Sequence, residues 1–384
     1  MPDLRHKYNF PTHIEYGPGA MLDLPKLIKN AGLKKGLLVT DAGIEKVGTP
    51  ESLRQAFAKE NIETVTFSDV QSNPTDNDVY RGTEVYKKAK CEFIVGLGGG
   101  SPIDAGKAMK CLATHDGPLE KYDDSKGGDR FITNSMPSFY AIPTTAGTGS
   151  EVGRSSVITI GKTNKKTIIF APTLMPDIAV LDPDVTRSLP AHLTAATGVD
   201  AFVHNLEAYL MPEFHPFADA LAKEAMQRIV ENLPIAVKNG NDIKARGEML
   251  VASAMGATAF QKGLGVNHSI AHALGVIFNM HHGLANAAVL IEVMKYNAEQ
   301  KTSADKLASL GYIFRVEADA QAVIAAMRDW QVSLGLPVDL KQFPIKKTDI
   351  PAIEEYALGD PCCPLNPRKV EKGDVARILE NLCS

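Results

Sequence analysis

FIVGLGGGSPIDAGKAM (93–109) passes from an apolar run through a block of glycines into a helical pattern that opens at Pro102. It reads as strand, tight turn and helix, because proline is favoured at the first helical position. Gly98, Gly99 and Gly100 leave the backbone bare, and the helix start offers unpaired N–H groups to a phosphate. Two familiar patterns fail on this stretch. A G-x-G-x-x-G fingerprint begun at Gly96 needs glycine where Ser101 stands. A P-loop needs four residues between Gly100 and Gly106–Lys107 and a hydroxyl after the lysine, whereas five intervene and Ala108 follows. Two readings remain: a pyrophosphate cradle, or a strand–helix turn with no ligand.

Outward from this turn the chain alternates short apolar runs with helical ones. GLLVTD (36–41), TVTFSDV (64–70), SFYAIPTT (138–145), KTIIFAP (166–172) and IAVLDP (178–183) are further strand candidates. Apolar strands separated by helices predict a parallel sheet covered on both faces. After LDPDVTRSLP the texture changes to Ala/Leu/Met-rich helical stretches such as PFADALAKEAMQRIVENLPIAV. The expected division is an α/β domain over 1–185 and an all-α domain over 186–384, packed without a flexible linker and with a cleft between them. Asp41 ends a strand and is suited to accept from an adenosine 2′-hydroxyl, which favours NAD over NADP. An aspartate there serves equally well as a helix cap. Thr144, Thr145, Thr148 and Ser150 lie in a second loop, AIPTTAGTGSEV (141–152), and offer hydroxyls to ribose or phosphate.

In the second half, TAATGVDAFVHNLEAYL (194–210) places Asp200 and His204 one helical turn apart. GLGVNHSIAHALGVIFNMHHGLANA (263–287) adds His268, His272, His281 and His282. A buried Asp–His pair accounts for the first couple alone, whereas the second cluster points to metal binding or proton transfer.

The 384-residue chain is 44% hydrophobic and carries a net charge of −4, with its basic residues dispersed. No basic tract or long apolar run suggests a nucleic-acid or membrane partner. The start, MPDLRHKYNFPTHIEYG, lacks a signal-peptide pattern, and the five cysteines form no disulfide framework. A cytoplasmic location is expected. KYNFPTHIEYG (7–17) is a candidate edge strand across a homodimer or higher homo-oligomer.

With these motifs in hand the chain resembles the iron-dependent (group III) alcohol dehydrogenases over nearly its whole length. GGGSPIDAGK, PTTAGTGSEV, LMPDIAVLDP, TGVDAFVHNLEAYL, the histidine-rich segment and the tripeptide Asn366-Pro367-Arg368 occur in the family's order. The resemblance implies an N-terminal Rossmann-like domain and an all-α C-terminal domain, in the two-domain plan shared with dehydroquinate synthase. It also implies a metal and a nicotinamide facing each other in the cleft. The implied metal ligands are Asp200, His204, His268 and His282. His272 would lie beside the metal as a proton relay or substrate contact, and His281 has no assigned role. Gly98, Gly99, Gly100, Ser101 and Asp104 would hold the pyrophosphate and nearby groups. Thr144, Thr145 and Thr148 would line the nucleotide, Lys166 would reach its nicotinamide side, and Asp41 would disfavour a 2′-phosphate.

The implied activity is reversible hydride transfer between a primary alcohol or diol and NAD, with Fe(2+) as the metal. Nitrogen and oxygen donors by themselves suit Zn(2+) and other divalent ions equally. Two departures from the family stand out. Arg154 and two serines occupy a segment where relatives often carry more apolar groups, and Cys362–Cys363 replaces a single cysteine near the active site. The rival readings are a lyase of the dehydroquinate synthase type, glycerol dehydrogenase-like polyol oxidation, and a non-catalytic binder. The lyase needs a Lys/Arg cluster around the metal, which the helical half does not show near its histidines.

Overall fold

The computed structural model describes residue 10, residues 12–162 and residues 165–383. Phe10–Leu189 forms one compact unit and the chain from Pro190 onward another.

The first unit is organised around β4 (Phe93–Gly98), which is buried at every position. The sheet order is β1 (His13–Tyr16), β8 (Ile178–Leu181), β5 (Ser138–Pro143), β4, β2 (Lys35–Val39), β3 (Glu63–Phe67), and every pairing is parallel. The unit's helices are α1 (Ala20–Asn30), α2 (Ala42–Val47), α3 (Thr49–Lys59), α4 (Asp76–Ala89) and α5 (Gly100–Thr114). Alternation along the strands builds a core on each face. Leu37, Val39, Ile94, Phe139 and Ala141 pack with Val79 of α4 and Ile103 and Met109 of α5. Leu38, Phe93, Val95, Tyr140 and Ile142 pack with Leu24 and Ile28 of α1 and Leu53 and Phe57 of α3. The connection from β3 returns to the far side of β2, so the order in which strands are added reverses between β2 and β4. Ligands of such sheets bind outside the carboxyl ends of the strands at that reversal.

KTIIFAP departs from the expected parallel sheet. It forms β7 (Lys165–Phe170), paired antiparallel with β6 (Ser155–Ile160) in a separate hairpin. The two strands are only four residues apart in sequence. That is too short for a parallel crossover, which needs about a dozen residues. In the KYNFPTHIEYG run, Lys7, Tyr8, Asn9 and Pro11 lie outside the described residues, while His13–Tyr16 supplies the edge strand β1.

The second unit is helical: α6 (Ala191–Leu210), α7 (Pro216–Lys238), α8 (Ile243–Ala259), α9 (Val266–Phe278), α10 (His282–Ala298), α11 (Lys301–Ala308), α12 (Gly311–Phe314), α13 (Ala320–Ser333), α14 (Ile350–Leu358) and α15 (Asp374–Glu380). α6 is buried along nearly all its length, so its polar residues at 200, 204 and 207 must find partners inside the protein. Gly283, in the first turn of α10, lets that helix approach α6 closely. A Cβ at Gly283 would lie 2.3 Å from the carbonyl oxygen of Ala196.

Candidate functional site

Three helices each present two functional residues at i, i+4, one turn apart. α6 carries Asp200 and His204, α9 carries His268 and His272, and α10 carries His282 and Asn286. The donor atoms of Asp200, His204, His268 and His282 all lie within 4.8 Å of one another. From Asp200 Oδ1 to the Nε2 atoms of His204, His268 and His282 the distances are 4.0, 3.8 and 3.5 Å.

Buried groups around this cluster fix it in place. Asn267 Nδ2 donates to Asn286 Oδ1 at 2.8 Å, which turns the Asn286 Nδ2 toward Asp200 Oδ1 at 2.7 Å. His268 Nδ1 donates to Glu207 Oε2 at 2.5 Å, and Glu207 Oε1 accepts from the Asn267 N–H at 2.9 Å. A ligating histidine whose far nitrogen is held by a carboxylate is the usual second layer of a metal site, because it fixes both tautomer and ring orientation. Asn366, in the NPR tripeptide, accepts from the Val266 N–H and exchanges amide bonds with Asn297, so it joins the start of α9 to α10.

Burial opposes charge on Asp200, yet His204, His282, His268 and Asn286 hold its carboxyl down at about 2. Burial likewise opposes protonation of His268, but the Glu207 hydrogen bond and charge outweigh it and raise the pKa. With the proton of His268 on Nδ1, its Nε2 faces the Asp200 carboxylate. A divalent cation answers that arrangement, and this donor set of one carboxylate and three imidazoles fits one.

His272 stands beside this cluster, its ring stacked on His282 at 5.4 Å. Its Nδ1 donates to Asp360 Oδ2 at 2.8 Å. Asp360 also accepts from Ser269 Oγ and from the Cys362 N–H. Burial opposes its charge, and His272 holds the carboxyl down at about 2. His281 is the residue preceding α10, and its backbone carbonyl accepts from the Ala285 N–H. Cys362 and Cys363 are both free thiols.

In the first unit, the helix α5 begins after Gly99 with no side chain capping it, so its first N–H groups are open to a ligand. Gly98 has φ +153°, and a Cβ there would lie 2.6 Å from Pro102. The side chains of Thr145 and Thr148 lie against Gly99 and Gly100. Thr144 donates its backbone N–H to the Gly98 carbonyl at 2.9 Å, while its buried Oγ1 has no hydrogen-bond partner among the described residues. These features leave a bare, hydroxyl-lined turn with room for a phosphate-bearing ligand at the sheet's reversal point.

Asp41 caps α2 through Oδ1, accepting from Gly43 and Ile44 N–H. Ser101 Oγ donates to the Ser72 carbonyl. Asp104 accepts from Ser150 Oγ and from the Val157 N–H, so both its oxygens are held inside the unit. Lys166 lies on β7 opposite Thr159. Arg154 lies with its guanidinium over the Phe170 ring at 5.2 Å. Burial pushes the Lys107 ammonium down to about 8 and the Glu151 carboxyl up to about 7.

Sequence reasoning missed Glu207, Asn267, Asn286 and Asp360. Helical spacing was the available signal for two of them, since Glu207 follows His204 by three residues and Asn286 follows His282 by four.

Comparison with known proteins matches residues 11–183 to the model of iron-containing alcohol dehydrogenases and residues 194–383 to that family's C-terminal domain. A 4-hydroxybutyrate dehydrogenase of Cupriavidus necator is 37% identical, covering 96% of this chain and 97% of its own. An NAD-dependent methanol dehydrogenase of Bacillus methanolicus is 34% identical, covering 95% and 96%. A solved 1,3-propanediol oxidoreductase superposes with a TM-score of 0.93 at 35% identity, covering 98% of this chain and all of that one.

Proposed function

We propose, for a chain that belongs to the iron-containing alcohol dehydrogenase family, a division of labour among its own residues. The chain is a metal-dependent alcohol dehydrogenase that uses iron and NAD and acts on a small-molecule alcohol. Asp200, His204, His268 and His282 are the metal ligands, and the convergence of their donor atoms within 4.8 Å is the observation that carries this reading. When bound, the metal supplies Lewis acidity toward the alcohol oxygen and NAD supplies the hydride acceptor.

Glu207 holds His268 with Nε2 toward the cluster, and Asn286 holds the Asp200 carboxylate. His272, with Nδ1 committed to Asp360, keeps Nε2 to accept the hydroxyl proton and pass it outward. Gly98, Gly99, Gly100 and Ser101, with the α5 N-terminus, receive the pyrophosphate. Thr144, Thr145 and Thr148 offer hydroxyls to the nucleotide, and Lys166 contributes to its nicotinamide side. Asp41 meets the adenosine ribose and disfavours a 2′-phosphate. Asp104 acts at one remove by holding the hydroxyl loop. The substrate class is a primary alcohol or diol.

The domain division near 185/186 belongs to the same proposal, as does a homodimer or higher assembly. The edge position of β1, with Ile14 and Tyr16 exposed, supports the assembly. Among the described residues no helix is long and apolar enough to cross a membrane. Cytoplasmic location is proposed from the free thiols, four of them buried.

Elemental analysis of anaerobically purified protein, paired with NADH formation across an alcohol panel, tests the reading. His268→Ala is expected to lose both metal and turnover while keeping NAD affinity. Tight metal retention with normal turnover in that variant refutes the ligand assignment.

A further inference from the structure

Lys107 is fully buried, on the helix whose start forms the glycine cradle. Its ammonium donates to three backbone carbonyls, those of Ser150 at 2.8 Å, Gly153 at 3.2 Å and Ser155 at 2.6 Å. An ammonium has three N–H donors, so the set matches its hydrogen-bonding capacity. One turn earlier, Asp104 holds Ser150 Oγ and the Val157 N–H, and its own carbonyl accepts from Ser156 Oγ at 2.7 Å. Residues 150–157 are therefore tied to two consecutive turns of α5.

A buried lysine is an expensive way to fill space, since an apolar side chain needs no compensating partners. Its use here has a geometric result. The hydroxyl loop is anchored at one end by the Thr144 N–H on the Gly98 carbonyl. The other end is anchored by Lys107, and the Ser150 N–H links that anchor to Thr148 Oγ1 at 3.3 Å. One helix thus presents its N-terminus to a phosphate and also sets where the loop hydroxyls stand.

We propose that Lys107 is a positioning residue for NAD: through the three carbonyls it fixes the spacing between the Thr144–Thr148 hydroxyls and the α5 N-terminus. It sets coenzyme affinity without touching the coenzyme. The inference rests on the nucleotide site proposed above.

In the holoenzyme, Lys107→Met is expected to raise KM and Kd for NAD by about tenfold or more, because the loop no longer stays in its competent arrangement. Its kcat at saturating NAD, KM for alcohol and metal content stay near wild type. Lys107→Gln, which keeps an amide donor, gives an intermediate NAD affinity and decides the matter if the methionine variant does not fold. NAD affinity unchanged in a folded Lys107 variant overturns the proposal. Failure of both variants to fold also overturns it, the lysine then serving the fold. Thr148→Val separates the two levels. Unchanged NAD affinity there removes the nucleotide-site assignment itself, whereas weakened affinity beside an unaffected Lys107→Met removes the clamp alone.

Discussion

Replacing Glu207 with glutamine tests whether the residues behind the ligands govern metal retention. Glu207 accepts from His268 Nδ1 at 2.5 Å and from the Asn267 N–H at 2.9 Å, and its side chain is 1% exposed. Glutamine keeps the shape but has one acceptor oxygen, so one of the two donors must face an NH2 group. The remaining bond also becomes neutral. A hydrogen bond to a charged group contributes about 1.5–3 kcal/mol and a neutral one about 1 kcal/mol. The loss to ligand orientation is then roughly 1.4–2.7 kcal/mol, or about tenfold to a hundredfold in metal affinity. Alanine is the wrong choice. It strands both buried donors at about 1–3 kcal/mol each and confounds metal loss with unfolding. The assay is anaerobic competition for iron against a chelator of known affinity, with the thermal midpoint of the metal-free protein as control. A Glu207→Gln protein that holds iron within about twofold of wild type would refute the argument, whose expected loss is at least tenfold.

Gly283→Ala is expected to push α10 away from α6, because the new methyl would fall 2.3 Å from the Ala196 carbonyl oxygen. We expect the variant to lose about 1–3 kcal/mol of stability by overpacking and to retain less metal, since His282 moves with the helix; wild-type metal content after dialysis counts against it. Glu151, raised from 4.5 to about 7 by burial, favours its protonated form in the folded state. Its contribution to stability is therefore complete below pH 4.5 and lost as pH rises through about 7. Glu151→Gln removes that dependence, so the thermal midpoint of the variant minus that of wild type should grow from pH 5 to pH 8, by an amount equivalent to about 3 kcal/mol at most. A difference that does not change with pH defeats this explanation.

The inner strands of the parallel sheet were legible because burial on both faces demands apolar runs, as in Phe93–Leu97 and Phe139–Ile142. β6 was not. Its start, Ser155-Ser156, carries hydroxyls because Ser156 Oγ bonds the Asp104 carbonyl, a contact 52 residues away that no local pattern announces. The placing of Asp200 and His204 on one helix face could be read from helical spacing. Glu207 stood in the same quoted stretch and passed for an ordinary helix glutamate, because its meaning comes from His268 across a separation of 61 residues. Asp360 was hidden likewise, since its partner His272 lies 88 residues upstream. Lys107 was weighed only against a phosphate-loop pattern that it fails. Besides Asp104 Oδ1 at 3.7 Å, its partners are backbone carbonyls, which carry no residue identity to find.

The four side chains proposed as metal ligands are not equally sealed. Those of Asp200, His204 and His268 are 4%, 7% and 1% exposed, while His282 is 31% exposed at the very beginning of its helix. Swinging one imidazole aside at a helix end needs no melting of packed turns. An ion would therefore enter and depart past His282 as the last latch to close. Exchange kinetics should then respond to crowding around that single ring far more than to the thermal strength of the bundle.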